Sequence, residues 1–587
     1  MSSGWPGKVD SLNWLDRDIV TSFKVPERSS GDRFLFKMKK GGRFSFLSKG
    51  VTIDSLKGLT VFRVVWTTFM VAATSVPYVV NFLSTPPGSH YTWIISPYPE
   101  DSFGYAAWAQ QAVHGAWLFK IKFTAIPHHA FLFHPFFLIC GWLSALFSCE
   151  VGLVFFTVKA AGVILFMAIF YRYSDYLGFN STASVTASVL VGVSSGIGGL
   201  LALCGWTDGM SIPPADLWMP EMSTYWSLLW NPLFPFSLSL LLLSIYWLDR
   251  GSRDGIARDF WRSGLSTGVM ALLHPYSIPL LLAWGGIVTA IRQRERSIGF
   301  LARYLAASLP VLIYLLWVSQ TNQLVSQHNA QGLMKSPPVV AYVFGFGLLL
   351  FFVAVGLIVR GKVLIGRHWQ VFIWFFLSVI LAFSPFWFQR KLVFGAHIAL
   401  CILAAGSFDL ILQAISAAWL RRVVLIALAV IFLPFLVTTP VYLVRTQRDK
   451  VKQNQDGAYY VSAELMEGLH ILRDRTKPAE VVMAQYSTSR LIPAFAGNTV
   501  VWGHWAQSVD LKQRKKWMQH LFSFDSDWSG TERSTEFWGD NVQFLFADGP
   551  LKDSLERHPY AWEVILKGAP IIFENPSVII YARPAGL

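Results

Sequence analysis

Long apolar runs recur along most of this chain, and they decide what it can fold into. Each run has about 17 residues or more, close to the length that an α-helix needs to cross a bilayer. The clearest runs cover residues 58–84, 132–148, 151–171, 232–248, 297–319, 338–359, 369–386, 393–413 and 423–443. Only 14% of the residues are charged, against about 25% in soluble domains. The sequence therefore predicts a mainly α, polytopic membrane protein.

Two further apolar runs, 182–206 and 263–291, are interrupted by polar or helix-breaking residues at 194–199 and 274–277. With them the prediction rises to roughly ten to twelve membrane segments. Irregular backbone at membrane depth is tolerated only where it lines a cavity or is buried in protein. Both breaks therefore indicate an internal site.

Basic residues indicate how the segments are oriented. Residues 1–57 contain eleven Lys or Arg against six Asp or Glu, which predicts a cytoplasmic N-terminal segment. The basic stretches fall between alternate apolar runs, at 250–262, 292–296, 360–367 and 421–422. The intervening loops are poor in basic residues and are expected outside, at 85–131, 205–231, 320–337 and 385–392. The net charge of +14 therefore reflects membrane orientation rather than nucleic-acid binding.

The last part of the chain has a different composition. Helical patterns occur at 461–474 and 511–522, and short strand-like runs lie near 481–486, 542–547 and 578–582. We therefore expect three parts: a cytoplasmic segment (1–57), a transmembrane domain (58–444) and an extracytoplasmic α/β domain (445–587). A bacterial inner membrane is the expected location.

Glu100 and Asp101 stand side by side in the predicted outer loop 85–131, close to the bilayer surface. An enzyme that uses lipid-carried substrates would hold its general base at such a position. After them, residues 105–117 place Tyr105 and Trp108 at helical spacing, which favours a helix lying on the membrane surface.

Three histidines, His128, His129 and His134, follow within seven residues. Imidazole is a common zinc ligand, but no nearby carboxylate or cysteine completes a familiar ligand set. Metal binding, hydrogen bonding to a substrate and structural packing all stay open for them. We expect no cofactor, although a divalent metal is compatible with the chain.

Other polar residues in the outer loops suit a sugar phosphate. Asp216 and Glu221 lie among aromatic and proline residues, a composition that fits sugar hydroxyls and ring faces as well as ordinary loop structure. Arg390 and Lys391 are adjacent cations in a loop otherwise poor in basic residues, and Arg binds phosphate in a bidentate manner. They are the predicted phosphate site.

In the tail, His504 precedes Trp505 and is a candidate contact for the acceptor, while a turn requiring Gly503 explains the tripeptide almost as well. Residues 525–527 have an Asp-Ser-Asp spacing that can chelate metals in nucleotide-sugar enzymes, but surface acidity is the better interpretation.

With these residues in place, the chain resembles the GT-C class of membrane glycosyltransferases, which includes protein O-mannosyltransferases and lipid A aminoarabinose transferases. Asp101 with Tyr105 matches the acidic motif of their first external loop, while Ser102 replaces the usual Glu and Glu100 comes before. The stretches 216–221, 274–276 and 503–505 resemble those of uncharacterised bacterial proteins of this class. The resemblance implies a polyprenyl-phosphate-linked sugar donor and transfer with inversion to a glycan, lipid or protein acceptor. On this resemblance Asp101 is the expected general base, with Glu100 as the alternative.

Two other functions stay open. A lipid or oligosaccharide transporter or flippase would explain the broken helices, but it has no special use for an acidic outer loop. A ligase or polymerase that uses a diphosphate-linked oligosaccharide would also place basic residues outside.

Overall fold

The computed structural model describes residues 53–331, 334–454, 457–521, 534, 537–539 and 541–585. The Asp-Ser-Asp spacing at 525–527 and nearly all of the predicted cytoplasmic segment lie outside these residues. Most of the described chain is helical. The helices of the first part are Ile53–Leu83, Pro99–Val113, Pro135–Phe147, Val151–Tyr176, Ser181–Val193, Gly198–Leu203, Thr224–Trp230, Phe234–Asp254, Ala257–Leu273, Ile278–Gln293, Ser297–Thr321, Gln323–Gln331, Val339–Phe346, Leu348–Leu381, Ala396–Ala414 and Ala418–Gln453.

Among the described residues, five helical segments are long and apolar enough to cross a membrane. They are Lys57–Leu83, Val151–Tyr176, Pro275–Thr321, Leu348–Leu381 and Gln389–Ala414, with shorter apolar helices at Pro135–Phe147 and Ser181–Val193. Large apolar side chains on their outer faces are exposed, including Leu83, Ile298 and Ile358. Extensive apolar exposure is unfavourable in water and suits lipid. The protein is therefore an integral membrane protein, and the predicted fold class is confirmed.

Both predicted helix breaks are present. One separates Ser181–Val193 from Gly198–Leu203, and the other separates Ala257–Leu273 from Ile278–Gln293. Glycine allows close approach at the first break: a Cβ on Gly199 would lie 2.4 Å from the Cα of Thr439. The breaks therefore let neighbouring segments pack directly on the irregular backbone.

The apolar runs 338–359 and 369–386 also form helix, with one difference from the pattern. Leu348–Leu381 is continuous but takes non-helical backbone angles at Arg360 and His368. The basic stretch between the two predicted runs is thus a pair of kinks rather than an open loop.

The C-terminal region, which we define as the described residues from 457 to 585, contains a five-stranded mixed sheet. Its strands are β3 (Val481–Ala484), β4 (Thr499–Val500), β5 (Val542–Asp548), β6 (Ile571–Glu574) and β7 (Val578–Ala582), in the order β4-β3-β5-β7-β6. β3 is parallel to both β4 and β5, while β7 is antiparallel to β5 and β6. The helices here are Ala463–Arg475, Tyr486–Ser489, Ile492–Phe495, Leu511–Leu521, Gly549–Arg557 and Pro559–Ile565. The predicted α/β character is confirmed.

A short antiparallel pair ties this region to the first loop. β1 (Ser89–Tyr91) pairs with β2 (Tyr460–Ser462), so that His90 lies opposite Val461. The hydrophobic core is continuous across the junction, since buried residues of the sheet and of the membrane helices belong to one cluster. The C-terminal region is thus packed directly onto the loop that bears the acidic pair.

Candidate active site

The acidic pair begins a helix. Pro99 occupies the first turn of Pro99–Val113, and Glu100 and Asp101 follow it in the same turn. Proline is suited to this position because its fixed φ is already helical and its missing N–H has no helical partner there. The partial positive charge of the helix N-terminus stabilises carboxylates in the first turn. The helix therefore starts six residues before the stretch that the sequence pattern suggested.

The C-terminal region donates hydrogen bonds to both acids. The hydroxyl of Tyr486 and the backbone N–H of Trp505 each donate to Oε2 of Glu100, both at 3.0 Å. The indole N–H of Trp505 donates to Oδ1 of Asp101, also at 3.0 Å. Within the described residues, Oδ2 of Asp101 accepts no hydrogen bond, and this side chain is 42% exposed. Glu100 is thus held by two donors on one oxygen, while Asp101 keeps an oxygen available.

A tight turn brings Trp505 to the acids. Gly503 has φ +142°, and a Cβ there would lie 2.8 Å from the carbonyl carbon of Ser489. The Ser508 hydroxyl accepts the backbone N–H groups of Gly503 and His504, both at 3.0 Å. Only glycine fits this conformation and contact without strain, so the turn interpretation of the tripeptide has a structural basis.

His504 lies beside Asp101. Its ring is 3% exposed, and its Nδ1 accepts the backbone N–H groups of Ala506 and Gln507. A neutral ring therefore carries its proton on Nε2, which lies 3.7 Å from Oδ1 of Asp101. Gly104 provides the room, since a Cβ there would lie 3.2 Å from Nε2 of His504.

A cavity of about 620 Å³ opens beside the acidic pair, and we call it the site cavity. It collects residues from parts of the chain that are far apart in sequence. Its lining side chains that bear on chemistry are Tyr98, Glu100, Asp101, Trp218, Glu221, Trp230, Arg390, Lys391, Lys450, Tyr459, Arg490 and Trp505. Five of the residues singled out from the sequence as catalytic or substrate-binding candidates lie here together.

Glu221 is the third acid of the site cavity. It sits in the short 3₁₀ turn Pro220–Met222 and is only 4% exposed. Its Oε2 is buried and has no hydrogen-bond partner among the described residues. A buried carboxylate oxygen without a partner is costly, and a ligand hydroxyl would satisfy it.

Arg390 and Lys391 occupy the 3₁₀ turn Gln389–Val393, between two apolar helices. The Arg390 guanidinium lies 5.3 Å from the Trp218 ring, and the Lys391 ammonium lies 4.2 Å from the Tyr276 ring. Within the described part of the chain, neither cation pairs with a carboxylate, and Nε of Arg390 has no hydrogen-bond partner. Two cations that pair with no carboxylate of the described residues thus line the same cavity.

Asp216 and His274 lie outside the lining of the site cavity. Asp216 is buried and accepts hydrogen bonds from Ser195 and Thr439, at 3.3 and 3.1 Å. Burial raises its pKa to about 7. Its partners belong to the first helix break and to the last long helix, so it joins these two segments.

His274 packs next to the 3₁₀ turn Gln389–Val393. Its ring stacks on Phe394 at 4.4 Å, directly after the turn that carries Arg390 and Lys391. The adjacent Tyr276 is the ring beneath Lys391. The second helix break thus packs against the turn that carries the two cations, and residues 274–277 are not part of the lining of the site cavity.

The three loop histidines make other contacts. His128 donates from Nδ1 to the carbonyl of Ile126 at 2.8 Å, and its Nε2 accepts the N–H of Ile121 at 3.1 Å. His129 is exposed, and His134 is buried with its ring 4.1 Å from Phe137. The structure does not bring them to the site cavity.

Tyr105 borders a second cavity of about 650 Å³, which other residues of the helix Pro99–Val113 also line. Its ring stacks on Phe137 at 5.2 Å, and its hydroxyl lies 3.5 Å from Nδ2 of Asn231. Trp230 lines both cavities.

Six of the lining side chains named for the site cavity were not singled out from the sequence: Tyr98, Trp218, Trp230, Lys450, Tyr459 and Arg490. Tyr486, which donates to Glu100, was also not anticipated. Burial raises the pKa of Tyr486, and the nearby charge of Glu100 adds to the shift. Apart from Trp218, which lies within the stretch 216–221, none of these residues belongs to a motif, and only the docking of the C-terminal region brings Tyr486 and Arg490 here.

Comparison with known proteins is informative at the level of the fold. No protein-family model and no curated protein matches the chain. Among solved structures, the arabinofuranosyltransferase AftD from Mycobacteria matches with a TM-score of 0.51 and 14% identity, over 88% of this chain and 40% of that protein. This chain thus spans about two fifths of the length of AftD.

Two other similar structures have lower TM-scores. The oligosaccharyltransferase AglB from Archaeoglobus fulgidus, in complex with an inhibitory peptide and a dolichol-phosphate, matches with a TM-score of 0.46 and 13% identity, over 89% of this chain and 74% of that one. ArnT from Cupriavidus metallidurans, bound to undecaprenyl phosphate, matches with a TM-score of 0.46 and 11% identity, over 89% and 98%. The expected resemblance is confirmed for the fold: this protein has the fold of the GT-C membrane glycosyltransferases.

Proposed function

We propose that the protein transfers a sugar from a polyprenyl-phosphate donor to an acceptor hydroxyl, with inversion at the anomeric carbon. One observation carries the proposal: the site cavity holds an acid with an available oxygen together with two cations that have no counter-ion among the described residues. The fold shared with AftD is consistent with glycosyl transfer, and AglB and ArnT are described in complexes with lipid phosphates.

Asp101 is the proposed general base. The acceptor oxygen attacks the anomeric carbon, its proton passes to Asp101, and the bond from that carbon to the phosphate oxygen breaks. Oδ2 of Asp101 is available for the proton, because the indole of Trp505 bonds only to Oδ1. Glu100 is the weaker candidate, since two hydrogen bonds already stabilise its ionised oxygen.

Arg390 and Lys391 bind the donor phosphate in this proposal. Negative charge grows on the leaving oxygen as the glycosidic bond breaks, and cations fixed beside it stabilise that charge most in the transition state. The aromatic rings of Trp218 and Tyr276 lie against these cations and keep both in place.

Glu221 is proposed to accept hydrogen bonds from hydroxyls of the transferred sugar. Its buried Oε2 lacks a partner in the described structure, and Trp218 and Trp230 line the same cavity. Aromatic faces beside a polar acceptor group suit a sugar ring, which has both apolar and hydroxyl-bearing faces. The acceptor, a glycan, lipid or protein, would enter beside Trp505 and the C-terminal region.

The proposed location is a bacterial inner membrane, with the N-terminus in the cytoplasm and the C-terminal region outside. The distribution of Lys and Arg among the loops supports this orientation. Lipid-linked sugars would then be used on the outer face.

The test is glycosyl transfer by purified full-length protein given polyprenyl-monophosphate sugars. Asp101→Asn should lower turnover at least about 100-fold, the scale of a lost acid–base group, while the protein stays folded. Asp208→Asn, in an exposed loop away from the site, is the matched control and should behave as wild type. Wild-type turnover in Asp101→Asn would overturn the assignment, and Glu100→Gln would then be compared in the same assay.

A further inference from the structure

The cavity of about 650 Å³ that Tyr105 borders has no role in the proposed function, and we call it the second cavity. It is as large as the site cavity, and Trp230 lines both. The helix Pro99–Val113 also borders both, because Asp101 lines the site cavity and the next residue, Ser102, lines the second one. The second cavity is therefore adjacent to the proposed base.

The apolar part of the second cavity is built from membrane-spanning segments. Tyr78 belongs to the segment Lys57–Leu83, and Phe155 and Phe156 belong to the segment Val151–Tyr176. Ligand cavities are commonly lined by aromatic and apolar side chains, with a few polar groups that fix the orientation of the ligand. A lipid chain suits this part of the cavity, since it gains free energy wherever it leaves water.

Trp93 joins the second cavity to the lipid-facing surface. Its φ is +59°, which is uncommon for a bulky residue, and such outliers cluster at ligand sites. Close packing holds this conformation, since a Cβ on Gly152 would lie 2.6 Å from the carbonyl oxygen of Thr92. The Trp93 ring lines the cavity and stacks at 5.0 Å on Phe82, which is 49% exposed. The apolar part of the cavity thus continues onto surface that suits lipid.

The polar part of the second cavity has almost no net charge. Among the described residues that line it, one carboxylate, Glu150, stands against one guanidinium, Arg473, whereas four cations line the site cavity. His114 and His470 also line it, and burial lowers the pKa of both, so that their rings are neutral at pH 7. The half-buried amide of Gln110 adds a neutral donor and acceptor. This lining suits hydroxyl groups better than a phosphate.

Resting on the proposed function, we infer that the second cavity is the acceptor site and takes a lipid-carried acceptor with a neutral oligosaccharide headgroup. The lipid chain contacts the aromatic part and enters past Trp93, and the reacting hydroxyl reaches Asp101 past Trp230. Ser102 and Gln110 lie about 12 Å apart along their helix, a distance that a disaccharide spans and a single sugar ring does not.

The separation of the two cavities suits the chemistry of inversion. In an inverting displacement, the attacking oxygen and the leaving group lie on opposite faces of the transferred sugar. The donor phosphate is proposed to lie at Arg390 and Lys391, which line only the site cavity. An acceptor held in the second cavity approaches from a different direction, so both substrates can be bound at once.

The experiment measures ligand binding to the full-length protein in lipid nanodiscs. Dodecyl maltoside, dodecanol, undecaprenyl phosphate and a short serine-containing peptide are titrated separately. Ala145→Phe fills the cavity from an exposed position, and Gln110→Leu removes a polar group from its lining. Ala72→Phe is the matched control, because Ala72 is exposed on the segment Lys57–Leu83 and does not line the cavity. The Tm of each variant shows whether it is folded.

We expect Ala145→Phe to weaken the binding of dodecyl maltoside about tenfold, the scale of overpacking, and to leave undecaprenyl phosphate within about twofold. Gln110→Leu should weaken dodecyl maltoside about fivefold, the scale of one hydrogen bond, without affecting dodecanol. Equal effects of Gln110→Leu on these two probes, or none on either, would overturn the sugar headgroup.

Three other results would overturn the acceptor site. A loss of undecaprenyl phosphate binding in Ala145→Phe would assign the second cavity to the lipid chain of the donor. A loss confined to the peptide would assign it to a protein acceptor. Dodecyl maltoside that does not bind to wild type, or that binds equally to Ala145→Phe, would leave the second cavity without this ligand.

This result is separable from the catalytic proposal. Asp101→Asn should bind dodecyl maltoside and undecaprenyl phosphate like wild type, because it removes a base and leaves both cavities in place. Failure of the Asp101 assignment is therefore seen in turnover, and failure of the acceptor site is seen in binding.

Discussion

The two walls of the site cavity are built on different principles. On the wall formed by residues that precede the C-terminal region, Glu221 and Arg390 each have a buried polar atom without a hydrogen-bond partner among the described residues. On the wall formed by the C-terminal region, Tyr486 and Trp505 donate hydrogen bonds to the acidic pair. The first wall thus includes polar groups that a ligand can satisfy, and the second includes donors that orient the two acids.

This difference indicates a division of roles. Groups that must bind a departing phosphate or a sugar hydroxyl gain from having no internal partner, since the ligand then supplies the missing interaction. A general base gains from a fixed position, because a misplacement of about 1 Å can cost about 100-fold in rate. We expect substitutions on the first wall to affect donor binding and those on the second to affect orientation.

Among the substitutions that test this difference between the walls, the largest effect is expected for Arg390→Ala. It should lower kcat/KM about 100-fold, with both a higher donor KM and a lower kcat. Arg390→Lys should restore activity only in part, because lysine lacks the bidentate fork. Steady-state kinetics with varied donor checks this, with Lys512→Ala, at an exposed lysine on the helix Leu511–Leu521, as the control. An unchanged donor KM would show that Arg390 does not bind the donor.

Gly503→Ala should lower turnover about 30-fold while donor affinity stays near wild type. The substitution places a Cβ 2.8 Å from a backbone carbon at φ +142°, and strain of this kind costs about 1–3 kcal/mol. The turn would shift and carry Trp505 away from the acids. Gly286→Ala is the matched control, because a Cβ there meets no atom within 4 Å. Equal losses in donor binding and turnover would contradict a role for the C-terminal region that is limited to orienting the acids.

Trp505→Phe should lower kcat about tenfold, since it keeps an aromatic ring but removes the indole N–H that bonds to Asp101. Donor affinity should not change. Trp206→Phe, at an exposed loop tryptophan, is the control. An unchanged kcat would mean that the indole has no influence on the base.

The smallest effect concerns the stability of the C-terminal region and depends on Asp548. Asp548 accepts hydrogen bonds from the Thr488 hydroxyl, and burial raises its pKa from 3.8 to about 6. Because the folded protein holds this proton more tightly, the stability linked to it is present below about pH 4 and is lost as the pH rises through 6. The Tm of wild type minus that of Asp548→Asn should therefore fall by a few degrees between pH 4 and pH 7. A difference independent of pH would contradict the assignment.

Much of the fold could be predicted from local pattern. The apolar runs correspond to helices, and both predicted breaks occur, because each depends on nearby residues such as Gly199 and Pro275. The strands near 481, 542 and 578 also occur where apolar runs predicted them. The kinked helix Leu348–Leu381 differs from its two predicted runs because a basic stretch can stay helical while its backbone bends.

The candidate site could be predicted only in part. Charged residues in apolar surroundings, such as Arg390 and Glu221, stand out in sequence, and they meet in the site cavity. Asp216 has the same local signature but lies buried between helix segments. Arg490 has no signature at all, since it sits in an ordinary polar stretch. Their catalytic and binding roles stay predictions until the substitutions are measured.

The sequence by itself determined the set of elements. These are the apolar runs of membrane length, the breaks within them, the short strand-like runs of the tail, and an acidic pair preceded by proline. These follow from neighbouring residues, through the length of a helix and the conformational limits of proline and glycine. What only the tertiary structure decided is which charges share a cavity, and that Trp505 and Tyr486 hold acids some 400 positions away. Such contacts depend on how segments pack, and packing over that separation leaves no local pattern in the chain.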